Sequence, residues 1–146
     1  MRQHKRYKRP KKPFDKARIE EEKRLMKEYG LKNKREIWKA ETNISRIRAQ
    51  ARKLIVEPEK QEQFLNKLRK IGLIDEKAGL NEVLSLTKRD WLERRLQTIV
   101  FKKGLAKTIK EARQLIVHRK IMINDKIVDV PSYVVKKDEE PLIKRK

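Results

Sequence analysis

The sequence predicts an α+β fold: a helical region, then two short helices packed on a small antiparallel sheet, the whole preceded by a basic arm. Three observations carry this reading. Apolar residues recur at spacings of three and four from Ile37 to Leu54. After Lys120 the pattern changes to runs of β-branched residues. Residues 1–12 hold seven bases, no acid and only two apolar side chains. The change of period marks where helix gives way to strand.

Composition sets the limits. The 146 residues carry a net charge of +21, and 43% of them are charged, against about 25% in an average soluble domain. Leu, Ile, Val and Phe number 39, above the roughly 20% below which a highly charged chain stays disordered. A core is therefore possible but thin. Its material is uneven: 30 apolar residues lie in the first 90 positions, and 22 in the 45 from 91 to 135. So much positive charge repels itself, and a polyanion relieves it. Nucleic acid is the leading partner and an anionic membrane surface the second. The chain has no cysteine, which excludes disulfides and Cys-ligated zinc or iron–sulfur centres. No apolar run exceeds four residues, so neither a membrane-spanning helix nor a signal-peptide core is present.

Taken in order, residues 1–13 form an extended arm bearing Arg2, Lys5, Arg6, Lys8, Arg9, Lys11 and Lys12. Pro10 and Pro13 break any helix, and with so little to bury the arm is expected to be disordered until it binds. Tyr7 is its one aromatic, free either to stack on a base or to pack. A helical region follows over 14–90. Asp15 caps a helix that ends at Gly30. Asn33 with Glu36 resembles a capping box. It opens a helix of about 20 residues whose apolar stripe is Ile37, Ala40, Ile44, Ile47, Ala51 and Leu54. Its outer faces carry Lys34, Arg35, Lys39, Arg46, Arg48, Arg52 and Lys53. Another helix starts after Pro58 and stops at Gly72. Leu80, Val83 and Leu84 suggest one more turn. Trp38 and Trp91 flank the stripes as packing residues.

Over 91–138 the layout changes. Thr87 with Asp90 starts a helix that continues through Leu92, Leu96, Ile99 and Val100 to Gly104. Thr108 with Glu111 makes a second capping box, for a helix ending near His118. Ile121–Ile123, a turn at Asn124-Asp125, and Ile127–Val130 read as a hairpin. After Pro131, Tyr133–Val135 read as a further extended run. Residues 139–146 are a short charged tail.

Catalysis is poorly supplied. His4 and His118 are the only histidines, and the four glycines are isolated, so no phosphate-cradling loop exists. Glu20-Glu21-Glu22 diverge around a helix axis and read as a solvated run, not a metal site. Neither an enzyme, a cofactor, a metal nor a small-molecule substrate is expected. The cationic surface has more content. From Thr87 to Lys120 there are eleven bases against three acids. Arg94, Lys103, Lys110, Arg119 and Lys120 belong to it. Such a surface, with Gln114 and His118 as added donors, suits phosphate and ribose. The stripes lack a large aromatic face, which favours helix partners over a membrane.

The stretch RRLQTIVFKKGLAKTIKEARQLIVHRKIMINDKIVDVPSYVVKKD, from Arg94 to Asp138, resembles the S-four domain, a small αL-shaped RNA-binding module. Matching pieces include Arg95-Leu96, Gly104-Leu105-Ala106, Ala112-Arg113-Gln114, Ile123-Asn124 and Val130-Pro131-Ser132-Tyr133. Further segments, YGLKNKREIWKAE, RKIGLID and VLSLTKRDWLERRLQT, resemble the small ribosomal subunit protein four family of the archaeal and eukaryotic branch. The resemblance implies a structural, non-catalytic role in the cytoplasmic ribosome. It implies primary binding of small-subunit rRNA at a 5′-domain multi-helix junction, in support of assembly and translational accuracy. Ribosomal proteins three and five would be neighbours, near messenger entry. By position it implies RNA contacts from Arg95, Lys102, Lys107, Arg113, Gln114, His118 and Ser132, with Tyr133 supporting their loop. The alternative is a free-standing S-four-domain factor acting on ribosomal particles.

Overall fold

The structure is a computed structural model that describes residues 4–146; Arg2 lies outside the described residues. Helix α1 (Lys16–Tyr29) begins where the Asp15 carboxylate accepts the Arg18 amide and ends at Gly30, whose φ is +61°. A side chain there would meet the Gln97 amide at 2.7 Å, so both conformation and space demand glycine. In α2 (Lys34–Leu54) the Asn33 side chain makes no cap bond. Instead the Glu36 carboxylate accepts the Lys32 amide at 2.7 Å. Helix α3 (Pro58–Ile71) opens on proline and stops at Gly72, and α4 (Leu80–Leu84) is a short turn.

The α2 stripe serves two cores. Ile37 and Ala40 pack with Leu25, Tyr29, Leu31 and Leu92. Ile44, Ala51 and Leu54 pack with Phe64, Leu68, Val83 and Leu86. Trp91 touches both. A third core joins Leu96, Ile99, Val100, Ala112, Ile116, Ile121, Val135 and Ile143.

The helix expected from Thr87 to Gly104 is two helices, α5 (Lys88–Glu93) and α6 (Leu96–Lys102). Between them Arg95 has extended backbone, with φ −69° and ψ 144°, and bridges Val134. The cause is tertiary. The Leu96 amide donates to Tyr133 O at 2.7 Å, and the Val135 amide donates to Arg94 O at 3.0 Å. The run Tyr133–Val135 thus takes up backbone groups that a continuous helix would have used internally. Helix α7 (Ile109–Val117) forms half of the expected capping box: Thr108 Oγ1 accepts the Glu111 amide at 3.1 Å, but the Glu111 carboxylate accepts the Lys107 amide at 2.9 Å, one residue before the cap.

The sheet order is β2-β1-β3, all antiparallel, from β1 (Ile121–Ile123), β2 (Lys126–Ile127) and β3 (Ile143–Arg145). Asn124 and Asp125 form the hairpin turn with φ of 48° and 64°, the positive values a tight two-residue turn requires. The expected tail is corrected here. Ile143 is only 4% exposed and lies in the third core, because β1 would otherwise leave its second edge unpaired. Tyr133–Val135 stays outside the sheet.

The described part of the arm, residues 4–13, has no regular secondary structure, yet it rests on the helices. The Tyr7 and Trp38 rings lie 6.0 Å apart, and the Lys8 amide donates to Thr42 Oγ1 at 3.2 Å. Arg18 donates to the carbonyls of Lys12 and Pro13 at 2.9 and 3.1 Å. The second correction concerns Glu22, which is buried rather than solvated. It accepts from Arg18 at 2.8 Å and from the Trp38 indole at 3.0 Å.

Candidate nucleic-acid interface

The helical region and the sheet-bearing region meet across one largely buried carboxylate. Glu36, on the first turn of α2, accepts from Arg95 at 3.0 Å and from Arg113 of α7 at 3.1 Å. The side chains of Glu36, Arg95 and Arg113 are 16%, 4% and 25% exposed. Burial raises the Glu36 pKa, but the Arg95 charge, the Lys32 amide and Arg113 outweigh it and hold the carboxyl below the usual range. Beside this cluster Gln97 is fully buried. Its amide donates to Gly30 O at 3.0 Å and to Ile109 O at 3.1 Å, joining the end of α1 to the start of α7.

Glu36 and Arg95 of this cluster line a cleft of about 350 Å³. Arg6 from the arm, Lys39, Asn43 and Arg46 from α2, and Ser132 from the loop before the extended run all line it. Segments distant in sequence therefore converge on one cationic recess. A second basic surface lies on α7. Lys110, Gln114 and His118 are exposed and share a shallow depression with Arg113 and Val117, with exposed Lys107 just before the helix.

The predicted contact residues divide by orientation. Lys5, Arg6, Lys8, Arg9, Lys11 and Lys12 are exposed along the arm, as are Arg35, Arg46 and Arg52 on α2. Arg48 is partly buried and donates to Ser45. Lys34 is partly covered and pairs with Glu22 at 3.5 Å. Arg119, Lys120 and Ser132 face solvent. Lys102 is exposed but pairs with Glu93, and Lys103 reaches the Glu140 carbonyl.

Two arginines are turned inward, which corrects their reading as open surface contacts. Arg95 is nearly inaccessible and serves Glu36. Arg94 donates to Val135 O at 2.7 Å and to Glu140 at 3.2 Å. A guanidinium already engaged by protein acceptors has little left to offer a phosphate. Arg113 is shared between Glu36 and the surface. Tyr133 donates to Glu139 at 2.7 Å; that bond and partial burial push its pKa up to about 12. Lys39 reads from the sequence as an outer-face base but not as a contact, and Asn43 is not singled out. Their signal is helical spacing, since Lys39, Asn43 and Arg46 repeat at four and three and so share a face.

No group of three or more His, Asp or Glu side chains suited to a metal ion occurs among the described residues. No described helix is long and apolar enough to cross a membrane.

This architecture defines the chain as an S4-domain protein: residues 94–140 match the family model described as "S4 domain". Three relatives, each called small ribosomal subunit protein uS4, extend the similarity to nearly the whole chain. The protein of Nanoarchaeum equitans is 54% identical over 97% of this chain and 83% of its own length. That of Ignicoccus hospitalis is 54% identical over 90% and 82%, and that of Methanothermobacter thermautotrophicus 46% identical over 95% and 84%. The chain belongs to the small ribosomal subunit protein uS4 family, a family of structural, non-enzymatic ribosomal proteins.

Proposed function

We propose that this protein is a primary binder of small-subunit (16S-type) rRNA in the cytoplasmic ribosome. It engages a multi-helix junction of the 5′ domain and supports assembly and translational accuracy. Ribosomal proteins three and five are its proposed neighbours, near messenger entry. The proposed division of labour is a basic arm at 1–13, an rRNA-binding helical lobe at 14–90 and an RNA-binding S4 domain at 91–138.

The observation that carries the reading is the cationic cleft across the Glu36 cluster. A double-stranded RNA helix offers little sequence to side chains, so proteins recognise folded RNA largely by shape and phosphate position. Recognition of shape needs a binding surface that does not change shape itself. Glu36 and Gln97 supply this by tying α2 and the end of α1 to α7, so that Lys39, Arg46 and Ser132 keep fixed separations, while the Tyr7–Trp38 contact and the Lys8–Thr42 bond hold Arg6 beside them. The arm and the α7 depression add phosphate contacts on either side. Affinity then comes mainly from release of counterions condensed on the RNA.

A filter-binding titration tests this, using a transcript of the small-subunit rRNA 5′ domain and an unrelated folded transcript of equal length. With about six to ten phosphate contacts, affinity for the first falls by about 10³–10⁵ between 50 and 200 mM salt, and the second binds more weakly throughout. A flat salt dependence, or equal binding of both transcripts, rejects the proposal.

A further inference from the structure

We infer that Phe14 is a nucleobase-stacking residue, a role that rests on the RNA-binding reading and specifies one contact within it. Phe14 is 92% exposed, the most exposed of the large apolar side chains among the described residues. It occupies the position just before the N-cap Asp15. A hydrophobic residue there ordinarily folds down onto the fourth helical residue as a staple. That residue is Ile19, so the sequence contains the staple pattern, yet the Phe14 ring stands in solvent instead.

Its backbone is held. Arg18 donates to the carbonyls of Lys12 and Pro13, the two residues before it, and is anchored in turn by buried Glu22. Asp15, immediately after, caps α1. Pro13 has a fixed φ. The ring therefore projects from a segment tied down on both sides, so little backbone entropy remains to be lost when a flat partner arrives.

The surroundings select the partner. Between Lys5 and Arg18 there are eight basic residues and one acidic one, and Lys11, Lys12 and Lys16 are exposed. The other large exposed apolar side chains, such as Ile55, Val56 and Val117, belong to other segments. A lone aromatic ring among cations offers an apolar protein surface little area. It suits an unpaired base, whose π-face meets the ring while its phosphates meet the lysines. Tyr7, the other aromatic of this region, is already packed near Trp38.

The test uses the full chain, the 5′-domain transcript and three variants, Phe14→Ala, Phe14→Leu and Phe14→Tyr. Phe14 makes no core contact, so thermal melting confirms that all three fold as the parent does. Loss of one stacked base weakens binding by about tenfold or more. Phe14→Ala and Phe14→Leu should both show it, and Phe14→Tyr should bind as the parent. The slope of affinity against salt should not change, because every phosphate-binding base is still present. Parent-like binding by Phe14→Ala overturns the inference while leaving RNA binding intact. So does parent-like binding by Phe14→Leu, which would mean that apolar bulk suffices. If the variants bind RNA normally but enter ribosomal particles poorly, Phe14 docks on a protein and stacking is again rejected. Failure of the parent itself to bind would reject the RNA-binding reading, and this inference with it.

Discussion

Removing the Glu36 carboxylate should loosen the two regions from each other. In Glu36→Ala, Arg95 loses its acceptor at 3.0 Å and Arg113 its acceptor at 3.1 Å. Arg95 cannot turn to water, whereas Arg113, at 25% exposure, can do so in part. Stripping one partner from a buried ion pair costs about 3–5 kcal/mol. With one of the two arginines able to escape, the lower end applies, about 3 kcal/mol. For a chain of this size each kcal/mol lowers the midpoint by about 2–4 °C, so Tm should fall by about 6–12 °C in a calorimetric melt. Glu36→Gln keeps the shape and one acceptor oxygen and should fall between the two. Acid adds a second reading of the same group. The folded Glu36 pKa is depressed below its ordinary value of 4.5. Its contribution is therefore fully present above that value and is lost as pH falls through the folded pKa. Glu36→Gln should flatten that part of the acid-unfolding curve. A Glu36→Ala protein melting within about 2 °C of the parent, equivalent to about 1 kcal/mol or less, would refute the argument that this carboxylate joins the regions.

Other perturbations probe separate links. Gln97→Leu removes an amide donor from two carbonyls, Gly30 O and Ile109 O, and should destabilise by about 1–3 kcal/mol; an unchanged urea midpoint would show that water replaces the bonds. Ile143→Ala should cost about 2–4 kcal/mol by opening a void in the third core, and hydrogen exchange at Met122 and Asn124, the amides that face β3, should accelerate. If those amides stay protected, β3 is not holding the edge of β1. Lys107→Ala with Lys110→Ala should leave Tm unchanged and reduce the salt slope of RNA binding by about 0.7–0.9 for each phosphate no longer neutralised. An unchanged slope would take α7 out of the interface.

Local chemistry made much of the fold readable. Asp15, Gly30, Pro58, Gly72 and Thr108 act through their own backbone conformations or nearby amides, so their meaning survives without tertiary context. The α2 stripe is readable because a single face stays buried over 21 residues. The break between α5 and α6 is not readable, because Leu92, Leu96, Ile99 and Val100 keep helical spacing straight through it. It arises from backbone bonds between Arg94 or Leu96 and the distant run Tyr133–Val135. The third strand misleads for a related reason. Tyr133–Val135 has the higher β-propensity, but β1 pairs with Ile143–Arg145, where one buried isoleucine suffices. For the interface, charge density located the arm and the α7 surface correctly as exposed. It could not separate Lys110 from Arg95, since a buried guanidinium and a solvated one look alike until the partner, Glu36, is placed 59 residues away.

The Arg94-Arg95 joint also constrains how this chain can change in length. The two arginines point in opposite directions, one to Glu140 and the Val135 carbonyl, the other to Glu36. The joint is extended at Arg95, where each residue advances the chain by about 3.3 Å and reverses the side-chain direction. Adding or removing a single residue there would displace α6 against α5, moving Leu96 out of its core and Gln97 away from Gly30. No local relaxation restores both arginine pairings at once. The stretch Ile55–Glu57, exposed between α2 and α3, has no comparable double obligation. Insertions and deletions should therefore accumulate there and be purged at the joint, which makes two adjacent arginines the phase reference for the whole molecule.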